Sequence, residues 1–510
     1  MKKALCILLS LLLIAGGVLA AAAADTACDC DKAPIIHVCG IGNTVYDGDK
    51  SVFPPEGDTI AATVFTALPL LPALLRGTLS ARQEARAISA AAKIFAPVAF
   101  DKNGDPATPA AARFTYPEEI SHGNGEIVSF DYDWRLDPFV VAEQLQAFIE
   151  YVEEKTGHDG VYLVGESMGA MIITTYLSAY GTEHVKGAVW FNGAYKGVAT
   201  CSNSYADRNS FSAEGFYAYL IQQTGIFGNS PLLCDLFTGL YESGLFESVL
   251  TPTVKVSRQL ADDGTLTRFM QQYLGRIPGF WGLVSAEDYP AARDFIFPDE
   301  ASQTEYAVLL ERLDRFYNEV SSRVDEIMAE TEAATGKVGV ICGYGEVIVP
   351  VTKDNTRQSD SVILTEDESN GATCAPLGQT LGDDYVQAVD DGHDHISPDR
   401  VIDASTAFFP DNTWFVKYAH HAVNYDAYSR ELVQEIFYTE GFNVFSDPKF
   451  LQFMVRDPDT NTFAPLTAEN GDAKEVSPGF VAKLFTAYFR MIRVFVDVFA
   501  KLPSLSGAIG

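Results

Sequence analysis

The sequence predicts an α/β fold, a mostly parallel sheet covered by helices and carrying a helical cap insertion. Three observations lead there. From Ala33 to Gly197, short apolar runs that end in glycine or a turn alternate with amphipathic stretches. From Thr200 to about Gly336 that rhythm gives way to helices and loops rich in aromatic residues. It resumes at "KVGVICGYG" and again at "DNTWFVKYAHH". Strands alternating with helices at this spacing imply parallel pairing, because each crossover needs a helix-sized connection.

The elements follow in order. Met1-Lys2-Lys3 opens an apolar run from Ala4 to Ala24 that only Ser10 interrupts, and small residues close it. A basic start, an apolar middle and an Ala-rich end read as a signal peptide over 1–24, which predicts a secreted or cell-envelope location. An uncleaved anchor helix is the alternative, since the run is just long enough to span a bilayer. "APIIHVCGIGN" is a buried strand entering a tight loop, and about 60–99 is helical. "GEIVSFDYDWRLD" is a second buried strand. The following helix starts at Pro138 and stops at Gly157. "DGVYLVGES" is a strand, "MGAMIITTYLSAYG" a helix and "HVKGAVWFNGAYKG" a strand. "RVIDASTAFF" is expected to be a helix before the last strand. The organisation reads as core 25–199, cap 200–336, core again 337–440, and a C-terminal region 441–510 with an amphipathic helix.

Composition excludes some classes of function. With 47% hydrophobic and 12% aromatic residues the chain packs a core rather than staying disordered. A formal net charge of −32 repels nucleic acid, so no nucleic-acid partner is expected. Loss of Cys6 with the signal leaves seven cysteines, too few for a disulfide-built scaffold. Cys201 and Cys234, within one insertion, are the first candidates for a bridge. "DKNGDP" and "DPDTNT" read as solvated turns, and no metal or cofactor is expected.

The chemistry centres on "VYLVGESMGAM", where Gly165 and Gly169 flank Ser167 between a buried strand and a helix. That is the context of a nucleophile elbow, whose tight turn lifts a serine hydroxyl above the sheet. A serine is a weak nucleophile until a base takes its proton. His420 and His421 directly follow the last strand, and the chain has only eight histidines. The length of that strand favours His421. For the orienting acid, "GHDHISP" offers Asp394 and "LGDDYVQ" offers Asp383. Acyl transfer also needs donors for a developing oxyanion. The backbone N–H groups of Met168 and of Ile41, in the "CGIGN" turn, are the candidates.

Four of these motifs, "PIIHVCGIGN", "FDYDWR", "VGESMG" and "GAVWFNGAYKG", resemble those of the lecithin–cholesterol acyltransferase family and its lysosomal phospholipase relatives. Tyr132-Asp133-Trp134-Arg135 is the most specific. The resemblance covers about 34–197, more loosely 337–421, and not the insertion. "GDDYV" is similar to that family's acid loop, whereas Glu166 stands where the family often has His. The resemblance implies an α/β-hydrolase fold and a serine lipase or acyltransferase acting on lipid acyl esters. A non-catalytic envelope protein that retains the fold is the alternative. Finally, Ser477 to Pro503 reads as a helix on which Lys483, Ala487, Arg490, Arg493, Asp497 and Lys501 form one mainly polar stripe. It either docks on the protein or rests on a membrane surface.

Overall fold

The computed structural model describes residues 30, 32–120, 127–226, 230–353, 355–421, 426–457, 460–471 and 480–501. The expected signal peptide, and the Ser477, Pro478 and Pro503 ends of the last helix, lie outside these residues.

Eight strands form the main sheet: β1 (Ile35–Val38), β2 (Ile127–Phe130), β3 (Val161–Glu166), β4 (Val185–Phe191), β5 (Val338–Tyr344), β6 (Thr413–Lys417), β7 (Phe453–Asp457) and β8 (Thr462–Pro465). Their spatial order is β8-β7-β6-β5-β4-β3-β1-β2. Every neighbouring pair is parallel except β7–β8. The seven parallel strands therefore deliver their outgoing loops to a single edge of the sheet, the usual place for chemistry in such folds.

The central strands are continuous apolar runs because both faces are covered. Ile36, Val38, Leu163, Ala188, Trp190 and Phe415 point to one core, and Ile35, Tyr162, Val164, Val189, Trp414 and Val416 to the other. Among the helices are, in chain order, α1 (Gly57–Ala67), α2 (Leu71–Arg76), α3 (Ala81–Phe95), α4 (Pro138–Thr156), α5 (Met168–Tyr180), α6 (Pro231–Glu242), α7 (Leu245–Asp262), α8 (Val324–Thr335), α9 (Ala427–Tyr438) and α10 (Phe480–Lys501). Residues of α4, α5 and α8 fill the first core, and Leu432, Val433, Ile436 and Phe437 of α9 the second. Asp137 caps α4 by accepting from the Phe139 N–H at 2.9 Å, and Gly157 closes it at φ 72°.

Several expectations need correction. The strand expected through "FDYDWRLD" ends at Phe130, because Asp133 takes the following turn. "RVIDASTAFF" is not a helix. Ile402–Asp403 pairs antiparallel with Thr373–Cys374, and Asp403 then caps a short 3-10 turn through the Ser405 N–H. α8, inside the expected cap, is part of the layer covering the sheet, while β7 and β8 complete the sheet from within 441–510. Residues 45–47, 50–53 and 111–112 form a small separate antiparallel sheet. Cys201 keeps a free thiol, so the expected bridge to Cys234 does not form.

Candidate active site

Ser167 leaves β3 at φ 54° and ψ −121° and starts α5 one residue later. A side chain rarely holds that conformation, and the packing around it explains why it persists. A Cβ on Gly169 would stand 1.9 Å from the Val38 carbonyl oxygen, and one on Gly165 would stand 2.5 Å from Ala170 Cα. Backbone thus lies directly on backbone at both glycines. The turn is pinned by Ser167 N–H to Phe191 O at 3.0 Å and by Ala194 N–H to Ser167 O at 2.9 Å.

His421 follows β6 and brings its Nε2 to 3.0 Å from Ser167 Oγ. Its Nδ1 hydrogen-bonds Asp360 Oδ2, and its backbone N–H donates to the Asp360 carbonyl at 2.7 Å. An Nδ1 proton given to a carboxylate leaves Nε2 bare towards the serine, the tautomer a general base requires. The neighbouring His420 instead has Nε2 at 2.9 Å from Ser361 Oγ.

The acid facing His421 is therefore Asp360, in the excursion after β5, which corrects the expectation of Asp394 or Asp383. Both of those are exposed. Asp394 Oδ1 accepts from the Ile396 N–H two residues on. Its neighbour His395 reaches Asp411, at the incoming end of β6, whereas His421 lies beyond the outgoing end. The five residues of β6 hold those ends about 17 Å apart. Asp383 sits in a loop that Arg400 grips through backbone carbonyls.

Asp360 is wholly buried, and its Oδ1 accepts from the N–H groups of Val362 and Ile363 at 2.9 and 2.7 Å. Burial alone would raise its pKa. The charge of His421 and hydrogen bonds from His421, Glu368 and Ile363 outweigh it, so the carboxyl sits below its ordinary value. His421 is displaced the other way: burial lowers its pKa, but the Asp360 charge and hydrogen bond win and raise it. Beside them Glu368 is also fully buried. Burial, and then the Asp360 charge, push its carboxyl well above the usual range. Its Oε2 accepts from the Gly343 N–H at 2.8 Å. Gly343 makes room for this arrangement, since a Cβ there would stand 2.6 Å from Asp360 Cβ.

The oxyanion candidates lie where the first loop crosses the elbow. A Cβ on Gly40 would come within 2.8 Å of Ser167 Cβ, which places the "CGIGN" turn, with Ile41, against the serine. Met168 is the first residue of α5, and no intrahelical carbonyl can satisfy its N–H. The motif Tyr132-Asp133-Trp134-Arg135 holds that loop. Arg135, fully buried, clasps Asp133 through Nε at 2.8 Å and Nη2 at 2.6 Å. Asn43 Nδ2 donates to Tyr132 O at 3.0 Å, and Trp134 Nε1 donates to Asn43 O at 3.2 Å. Glu166, next to the serine, meets His37 Nε2 at 2.8 Å.

Sequence reasoning missed Asp360 and Glu368. One signal could have found the first: "SDSVIL" sets an acid before a buried apolar run, in the loop leaving the strand beside the histidine strand.

A family model described as the alpha/beta hydrolase fold matches residues 108–207, the stretch carrying β2, β3, β4 and the elbow. Among solved structures, a chain described as "a putative aryl esterase from Burkholderia cenocepacia" aligns at 13% identity and a TM-score of 0.15. It covers 58% of this chain and 92% of that one, and a likeness this low carries no argument. No curated protein matches the chain. The sheet order, the elbow and the matched segment together give the chain an α/β-hydrolase fold.

Proposed function

We propose that the protein is a serine esterase of the lipase or acyltransferase type, moving acyl groups of lipid esters through an acyl-serine intermediate. The observation that carries this reading is the unbroken line from Ser167 Oγ through the His421 ring to Asp360. Ser167 Oγ attacks the ester carbonyl while His421 Nε2 takes its proton. Asp360 stabilises the imidazolium so formed. The oxyanion accepts hydrogen bonds from the N–H groups of Met168 and Ile41. His421 then protonates the departing alcohol. Water or an alcohol, deprotonated by the same nitrogen, releases the acyl group.

Two exposed apolar surfaces support lipid as the substrate class and a membrane surface as a partner. The stretch Gly57–Arg76, mean hydropathy 1.6, is long and apolar enough to cross a membrane, yet only 11% of it is buried. Phe65 is 75% exposed and Leu68 57%. α10 packs on α2, α6 and α7 and also turns Val481, Leu484, Tyr488, Met491 and Val494 outward. Their spacing of three and four residues makes one apolar stripe. Lys483, Arg490 and Arg493 on the same helix, against Asp497 alone, suit an anionic lipid surface. The basic, apolar reading of residues 1–24 supports export.

A fluorophosphonate probe tests the chemistry. It should label Ser167 in the native chain and leave Ser167→Ala unlabelled, whereas a non-catalytic protein would take no label. Leu484→Glu with Met491→Glu tests the substrate class. That variant should lose binding to anionic phospholipid vesicles while keeping hydrolysis of a soluble short-chain ester. Unchanged vesicle binding would end the interfacial reading.

A further inference from the structure

The 391–395 loop, which contributes nothing to the Ser167–His421–Asp360 line, has a chemistry of its own. We infer that Asp391, His393, His395 and Asp411 form a binding site for a divalent transition-metal ion of the zinc class. Their donor atoms all lie within 4.8 Å of one another. His395 Nε2 stands 3.0 Å from Asp391 Oδ2 and 3.4 Å from Asp411 Oδ1, and His393 Nδ1 stands 3.5 Å from the same Asp411 oxygen. A tetrahedron with bonds of roughly 2.0–2.1 Å has edges of about 3.3 Å, so these separations match a four-coordinate zinc-class ion.

The tautomer of His395 points the same way. Gln452 Nε2 donates to Pro410 O at 2.7 Å and Thr413 O at 3.2 Å, which fixes the amide. Its Oε1 then faces His395 Nδ1 at 2.8 Å and can only accept, so Nδ1 carries the hydrogen. In the neutral ring the Nε2 lone pair is aimed at two carboxylates, from a side chain that is wholly buried. A metal ion would resolve that opposition. Asp411 Oδ1 is itself buried and accepts no hydrogen bond among the described residues. A cation between the four groups satisfies it together with both imidazoles.

Two imidazole nitrogens with two carboxylate oxygens suit zinc or a neighbouring transition metal, not calcium, which collects six or more oxygens. The surrounding contacts resemble those that orient metal ligands. Gln452 sets one ring, Asp391 Oδ1 accepts from the His393 N–H at 3.0 Å, and the Phe445 ring lies 4.4 Å from the His393 ring. The site joins the 391–395 loop to the incoming end of β6. The strand separates it from His421, so the ion clamps the fold rather than activating the ester.

The full-length purified protein, stripped with a chelator and dialysed, is the material for the test. Isothermal titration with zinc sulfate should give one equivalent bound at this site per chain, with the thermal midpoint raised by several degrees. His393→Ala and Asp391→Asn alter exposed residues, so both variants should fold, as far-ultraviolet circular dichroism would check. Each should lose that equivalent and that rise. Calcium chloride should produce neither. The proposal is overturned by a stripped protein that ignores micromolar zinc, by a His393→Ala variant that binds it unchanged, or by calcium acting in its place. Bound zinc that leaves the midpoint unmoved would overturn the clamp.

Discussion

His421 and His395 sit at opposite ends of one strand, and each gives its Nδ1 proton to a side-chain oxygen behind it. Both therefore turn a bare Nε2 forward, and what they meet differs. His421 meets a hydroxyl, from which it can take a proton. His395 meets carboxylates, which have none to give at neutral pH. The group behind an imidazole sets its tautomer, and the group in front decides between general base and ligand. Histidine beside aspartate in a sequence thus says little until the strand end it occupies is known.

Removing the hydroxyl at the front of His421 should produce the largest effect. Ser167→Ala is expected to cost several orders of magnitude in kcat on a soluble ester, with little change in thermal unfolding. A variant keeping more than about a tenth of the activity would make the pair of histidines equivalent and remove the distinction. Next comes the group behind the ring. Asp360→Asn should cost on the order of 10⁴ in rate by disturbing the tautomer. Asp394→Asn and Asp383→Asn, at the wrong places, should each cost under about tenfold.

A pH profile sharpens the same contrast. His421 must be neutral to act, and its pKa is raised, so the acid limb of kcat/KM should lie above the ordinary histidine value of about 6.5. Activity falls as pH drops through that limb. In Asp360→Asn the residual activity should show the limb displaced downward, because the charge that raised it is gone. A limb at the same pH in both proteins would contradict the assignment. Glu368→Gln should be the mildest change. An amide of the same shape keeps the oxygen that accepts from the Gly343 N–H, so the rate should fall less than about tenfold. Glu368→Ala leaves the buried Gly343 N–H without its acceptor and should destabilise the fold by about 1–3 kcal/mol in a denaturant titration.

The fold was legible where period and punctuation agreed. Continuous apolar runs closed by glycine marked β1, β3, β4 and β5, and Pro138 with Gly157 bracketed α4. The strands β7 and β8 were not legible. β8 is short and half exposed, and Arg456 and Asp457 end β7 with charge. Ser167 stood out because two glycines announced a turn between strand and helix. His421 stood out because histidines are few. The acid did not, because the chain between Gly345 and Asn412 has little regular structure and many carboxylates. What singles out Asp360 is a tight turn that folds it under Gly343, a contact with no periodic signature. Asp394 drew notice through its histidine neighbours, which serve another cluster.

The nucleophile and its base are 254 residues apart in the chain. At about 5–20 residues per second, a ribosome needs roughly 13 to 50 seconds to pass from one to the other. During that interval Ser167 has no proton acceptor, and for most of it the acid is not yet made either. β6 itself pairs on one side with β7, which is made later still. An enzyme built in this order is born inert and acquires its reactivity only as its last strands arrive. On the function proposed above, that delay would keep an unfinished hydrolase from acting on acyl esters inside the cell that makes it.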